Sequence, residues 1–244
     1  MAWRTCMIVV AAALVLGAMP VANAIVGADA RRVAGRAAQS LVVVRLERGQ
    51  CTGTALASDL VLTAGHCMLG DRIRVRAYGD RKLHPVERGI RHPNYRAARF
   101  DISLNVDLAL LKLATPLPDR TKPAVLARQP TRGGEAVLVA GYGLDDPDAV
   151  KVTGHARMAT LIALDEKVGQ QVQLRAPARQ GAELGACAGD SGGPAFAIRD
   201  DLVVVGVVSS GPERCGGFTL VTPTAPHYDW IIETARKLGS AIEQ

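Results

Sequence analysis

Short apolar runs, each three to seven residues long and cut off by Gly, Pro or Asp, recur along almost the whole chain. They lie at 41–46, 60–62, 73–77, 108–113, 135–140, 172–174, 195–198, 202–208 and 218–221. Runs this short and this rich in Val predict an all-β architecture of sandwich or barrel type, and they exclude a helical bundle. Aromatic residues are only 4% of the chain, so the core has to be built from Val, Leu, Ile and Ala. The stretch 114–134 carries Pro116, Pro118, Pro123 and Pro130 before Gly133-Gly134, and reads as a connection between two β halves. The end of the chain differs: Tyr228, Ile231, Ile232, Ala235 and Leu238 recur at helical spacing and predict an amphipathic helix from about residue 227.

The first 24 residues are expected to be an address rather than part of the fold. Arg4 gives a positive start, an apolar run follows from Met7 to Met19, and Ala22-Asn23-Ala24 has the A-x-A form of a signal-peptidase site. Thirteen apolar residues fall short of the roughly twenty that a spanning helix needs, so the expectation is a secreted protein with no membrane association after cleavage. Four cysteines then remain, Cys51, Cys67, Cys187 and Cys215, an even number in an oxidising compartment, which suggests two disulfides. Zinc is the alternative for four cysteines, but no pair has C-x-x-C spacing, and no metal or other cofactor is expected.

Three elements carry chemistry: Thr63-Ala64-Gly65-His66-Cys67, then Asp107 opening the apolar run Leu108 to Leu113, then Gly189-Asp190-Ser191-Gly192-Gly193-Pro194. A serine hydroxyl is a poor nucleophile until a neighbouring base takes its proton, and histidine is poised to do so near neutral pH. The imidazole in turn needs a carboxylate to fix its tautomer. Small residues around Ser191 leave room for a substrate backbone and let successive N–H groups converge on a developing oxyanion. Asp101, six residues upstream, competes for the carboxylate role, but Asp107 is preferred because it opens an apolar strand while Asp101 lies in a polar loop.

With these motifs in this order, the sequence resembles the trypsin/chymotrypsin-like serine proteases. Ile25-Val26-Gly27, His92-Pro93-Asn94-Tyr95, Gly141-Tyr142-Gly143 and Trp230-Ile231 extend the resemblance over nearly all of 25–244. It implies two six-stranded antiparallel Greek-key β-barrels, about 25–120 and 132–225, with a terminal helix at about 227–240. It implies Ser191 as nucleophile, His66 as general base and then acid, Asp107 as orienting carboxylate, and the N–H groups of Gly189 and Ser191 as oxyanion hole. Cys51 would pair with Cys67 and Cys187 with Cys215. A freed Ile25 ammonium would pair with Asp190. Because the expected signal cleavage falls between Ala24 and Ile25, export itself would generate the active terminus.

The resemblance also places a primary specificity pocket, with Gly185 at its base and Gly211 and Gly216 on its walls. A neutral floor excludes pairing with Lys or Arg, so an open slot for a large apolar or aromatic residue is expected. Glu183 and Glu213 would lie near the mouth. Ser209 would hydrogen-bond Asp107, whereas Ser210 replaces the family's usual Trp in the segment that pairs with substrate backbone. Between His66 and the His92-Pro93-Asn94-Tyr95 segment only Asp71, Asp80 and Glu87 could serve a calcium loop, so none is expected. Arg72, Arg74, Arg76, Arg81, Arg88, Arg91, Arg96 and Arg99 form a basic stretch. It is read as a solvated surface, with polyanion or acidic-protein binding as the alternative. The expected partners are protein or peptide substrates and proteinaceous inhibitors, with no nucleic acid, and the chain is expected to be monomeric. The competing function is a non-catalytic homologue that binds through the basic face.

Overall fold

The computed structural model describes residues 25–97, 105–144, 154–178 and 183–243. The expected signal peptide, Arg99 and the alternative carboxylate Asp101 lie outside the described residues.

Strand β1 (Arg31–Arg32) and helix α1 (Gly35–Ser40) lead into β2 (Leu41–Arg45), β3 (Gln50–Ala57), β4 (Leu60–Thr63), β5 (Arg74–Ala77), β6 (His84–Arg91) and β7 (Ala109–Leu113). The last six close an antiparallel barrel in the order β2-β3-β4-β7-β6-β5. The chain then passes through β8 (Val125–Leu126) to β9 (Ala136–Gly141), β10 (Arg157–Val168), β11 (Gln171–Arg175), β12 (Pro194–Ile198), β13 (Leu202–Ser210) and β14 (Phe218–Pro223). Strands β9-β10-β11-β14-β13-β12 close a second antiparallel ring, because β12 pairs with β9 as well as with β13. Two short strands are added to that ring: β1 pairs with β10, and β8 runs parallel to β13. Helix α2 (Tyr228–Lys237) ends the fold.

Each barrel closes on its own apolar filling. Leu41, Leu60, Leu62, Leu108, Leu110 and Leu111 are fully buried in the first, and Val137, Val139, Leu161, Leu174 and Ala195 in the second. Fully burying one such side chain contributes about 1.5–3 kcal/mol, so these residues fix the strand register. Helix α2 lays Ile231 and Ala235 onto the first barrel's core. There the His92 ring meets the rings of His227 and Trp230 edge-on, at 4.8 and 4.7 Å. Burial, and secondarily the nearby His227, push the His92 pKa down to about 4, so the contact is made by a neutral imidazole. Beyond the helix, Lys112 reaches both Asp59 and the Ser240 hydroxyl, tying the tail to β7 and to the turn between β3 and β4.

The two disulfides join Cys51 to Cys67 and Cys187 to Cys215. The first holds β3 to the turn that carries His66. The second closes the segment before Ser191 onto the loop between β13 and β14. Among the described residues no helix is long and apolar enough to cross a membrane.

Candidate active site

The site lies where the two barrels face each other. His66 sits in a single 3-10 turn (Gly65–Cys67) just after β4, and Asp107 stands two residues before β7. Strands β4 and β7 are paired, Thr63 opposite Ala109, so the sheet brings the two side chains together. A side chain at position 65 would crowd Tyr95 Cδ2 at 2.7 Å and Asp107 Oδ1 at 3.2 Å, which explains the glycine. Asp107 is buried and spends its oxygens on three donors. Oδ2 accepts from His66 Nδ1 at 2.7 Å and from the Ser209 hydroxyl at 2.6 Å, and Oδ1 accepts the His66 backbone N–H at 2.9 Å. Burial raises the carboxyl's pKa, but the His66 and Ser209 bonds outweigh it and hold the group below the ordinary carboxylate value. An ionised Asp107 keeps the proton on Nδ1 and leaves Nε2 as an acceptor toward the cleft.

Ser191 is carried on the turn before β12, and its hydroxyl lies 3.4 Å from the Ser209 carbonyl, to which it donates. The turn is held from both barrels. Thr52, fully buried on β3, donates its backbone N–H to the Ser191 carbonyl at 2.8 Å and its hydroxyl to the Gly189 carbonyl at 2.8 Å. The same hydroxyl accepts the Tyr142 N–H at 3.0 Å. The Ala188 carbonyl accepts the Leu144 N–H at 2.7 Å, which turns the N–H of the Ala188–Gly189 peptide to the other side. Gly189 has φ +97°, a conformation suited to glycine.

Beneath the turn, Asp190 is fully buried. It accepts the Gly143 N–H at 2.7 Å and the Cys187 N–H at 2.9 Å, and the Ile25 N–H is also directed at it. Burial pushes its pKa up to about 7 against those bonds and against the Arg157 charge. Arg157 spreads its guanidinium over the incoming segment, donating to the carbonyls of Ile25 at 3.0 Å, Gly27 at 3.5 Å and Ala30.

His66, Asp107, Ser191, Ser209, Ser210 and Gly211 line one cavity of about 670 Å³, together with Tyr95, Arg96, Gln171, Pro212 and Glu213. Gly185 and Gly216 are brought to each other instead of to this wall. A Cβ on Gly185 would meet Gly216 Cα at 3.0 Å, and the Gly185 backbone pairs with Val26. Cys51 and Cys67 also lie near His66, but their sulfurs are joined in a disulfide and offer no thiolates to a metal. In the basic stretch, Arg72 pairs with Glu47 at 3.2 Å, Arg76 binds the Asp80 carbonyl, and Arg91 binds the carbonyls of Gly65 and Met68. Part of that charge is thus engaged within the fold.

The family model of trypsin matches residues 25–231. The chain belongs to the trypsin family. Among curated relatives it is 30% identical over 224 residues to mouse (Mus musculus) mannan-binding lectin serine protease 1, a match covering 74% of this chain and 31% of that protein. It spans only about a third of that relative's length. Human (Homo sapiens) kallikrein-15 is 27% identical over 228 residues, with 80% and 86% covered. The solved structure of neuropsin, a serine protease expressed in the limbic system of mouse brain, superposes with a TM-score of 0.73 at 21% identity, covering 86% of this chain and 99% of that one. At that identity the superposition speaks for the trypsin fold alone.

Two site residues were not foreseen from the sequence. Thr52 follows a cysteine with no motif around it, and Arg157 opens a strand where an arginine reads as a solvent-facing residue. Thr52→Val preserves shape but orphans the Gly189 carbonyl and the Tyr142 N–H. It is expected to lower unfolding stability by about 1–3 kcal/mol, whereas Thr52→Ser stays within about 1 kcal/mol of the parent. Urea unfolding followed by fluorescence measures both, and equal midpoints for Val and Ser would sink the bracket.

Proposed function

We propose that this trypsin-family chain is a secreted serine endopeptidase that cleaves peptide bonds through an acyl-enzyme. The observation carrying this reading is the Asp107–His66 pair, 2.7 Å long and reinforced by Ser209, which fixes the imidazole tautomer that catalysis requires. Ser191 Oγ attacks the scissile carbonyl while His66 Nε2 takes its proton. The N–H groups of Gly189 and Ser191 bind the resulting oxyanion. His66 then returns the proton to the departing amine, leaving Ser191 acylated. A water molecule, deprotonated by the same nitrogen, releases the acid and restores the hydroxyl. Signal cleavage after Ala24 would free the Ile25 ammonium to pair with Asp190 and hold the oxyanion turn.

The test is labelling with a fluorophosphonate that carries no specificity side chain, alongside hydrolysis of an unfolded protein substrate. A single adduct on Ser191, with both labelling and hydrolysis abolished in Ser191→Ala, is the expected result. A chain that starts at Ile25 and takes no label would overturn the enzyme reading in favour of a non-catalytic homologue.

A further inference from the structure

We infer that the substrate side chain entering the cavity beside Ser191 must be small, of alanine or serine size, and that the Cys215-Gly216-Gly217 link sets this limit. The inference rests on the hydrolase reading above and deepens it. Two backbone segments bound the cavity on this side, one through Ala186, Cys187 and Ala188 and the other through Ser209 to Glu213 and on to Cys215. Below that level they are stitched together. The Ala186 carbonyl accepts the Gly216 N–H at 3.2 Å, and the Ala186 N–H donates to the Thr219 hydroxyl at 3.0 Å. The Phe218 N–H returns to the Gly216 carbonyl at 2.7 Å, folding the link back on itself. Gly216 lies so close to the Glu183 carbonyl that a Cβ there would collide with it. Gly185 is bracketed as well, its backbone bonded to Val26 at 3.0 and 3.2 Å and its α-carbon face closed by Gly216.

The width above this seal follows from Gly211. One carbon atom added there as a Cβ would already stand 3.5 Å from the Ala186 carbonyl oxygen and 3.3 Å from that of Phe218. The Gly211 α-carbon therefore stands at most about 5 Å from the Ala186 oxygen, too close for a side chain to pass between them, so a substrate side chain has to end above this line. An aromatic ring or a long basic chain lying between two walls needs the wall atoms about 7–8 Å apart, twice the usual carbon contact distance. Asp190 is bonded to Gly143 and Cys187, and Ile25 is buried beside it, so the segments around Ser191 are in place. The closure follows from the short covalent link between Cys215, tied to Cys187, and Gly217 just before β14.

The experiment compares kcat/KM on peptides identical except for Ala, Ser, Leu, Phe or Lys before the cut, using the chain that starts at Ile25. The fluorophosphonate adduct counts active sites in the same preparation. The expected result is Ala or Ser at least tenfold above Leu, Phe and Lys, with Gly211→Val abolishing Ala cleavage while Ser191 still takes the label. Leu, Phe or Lys equal to or above Ala overturns the inference and leaves the hydrolase reading standing. Labelling with no discrimination, or with no peptide of the series cleaved, overturns it too. No labelling overturns the hydrolase reading and the inference with it.

Discussion

Asp107→Asn is expected to leave the fold intact and to lower kcat by about 10⁴, the cost typical of removing this carboxylate from a Ser-His-Asp arrangement. The side chain is buried, and its three accepted bonds come from His66 Nδ1, the His66 backbone and Ser209. An amide has nearly the same shape, so these contacts stay within reach and the core around Leu108 is undisturbed. The chemistry is what changes. An amide that keeps its oxygen on the backbone N–H presents its NH₂ to the ring, and Nδ1 must then accept rather than donate. The proton moves to Nε2, which can no longer take one from Ser191. Because the site is closed to water at Asp107, nothing replaces the lost acceptor. Steady-state kinetics, with the melting temperature as a control on folding, measure the effect. A fall of less than tenfold at unchanged stability would remove Asp107 from the role and return Asp101 to it.

The preference for Asp107 over Asp101 shows what a sequence makes legible. Apolar runs announce strands whose faces are both buried, and β2, β4, β7, β12 and β13 are such strands. An aspartate at the head of one is carried toward the interior. Strands β3, β6 and β10 left no such run. β6 keeps its outer face in solvent and reads as mixed polar sequence, and β10 alternates buried and half-buried residues before its exposed end. The Ser191 turn was legible because its glycines and its Asp are forced by close backbone approach. Thr52 and Arg157 were not, because they act on backbone carbonyls brought near only by barrel closure. The depth of the pocket was not legible for the same reason. Its residues could be counted back from Ser191, but its depth depends on how far a three-residue link can bow, which is a property of the path and not of residue types.

Freeing the Ile25 amino group should raise kcat/KM by at least 10²-fold over the same chain carrying one residue before it, and should also change how stability depends on pH. Ile25 is fully buried in the second core with φ +54°, a conformation that costs a β-branched residue about 1–3 kcal/mol. Cutting the preceding peptide abolishes that torsion, so the strain ends with the bond. While the bond is intact, Asp190 faces only an amide N–H from Ile25, and burial holds its pKa at about 7 against an ordinary 3.8. The folded chain then keeps a proton that the unfolded chain has lost between about pH 4 and pH 7, so its stability falls as pH rises through that window. A free ammonium at Ile25 places a positive charge against the carboxylate and pulls its pKa down, which removes this loss. Breaking a buried pair of this kind costs about 3–5 kcal/mol, enough to release the turn that carries Gly189 and Ser191. Urea midpoints from about pH 4 to pH 8 should therefore decline for the extended chain and hold or rise for the chain beginning at Ile25. Parallel profiles, or equal activity in the two forms, would mean that Asp190 is held by Gly143, Cys187 and Arg157 alone and that the terminus plays no part in activation.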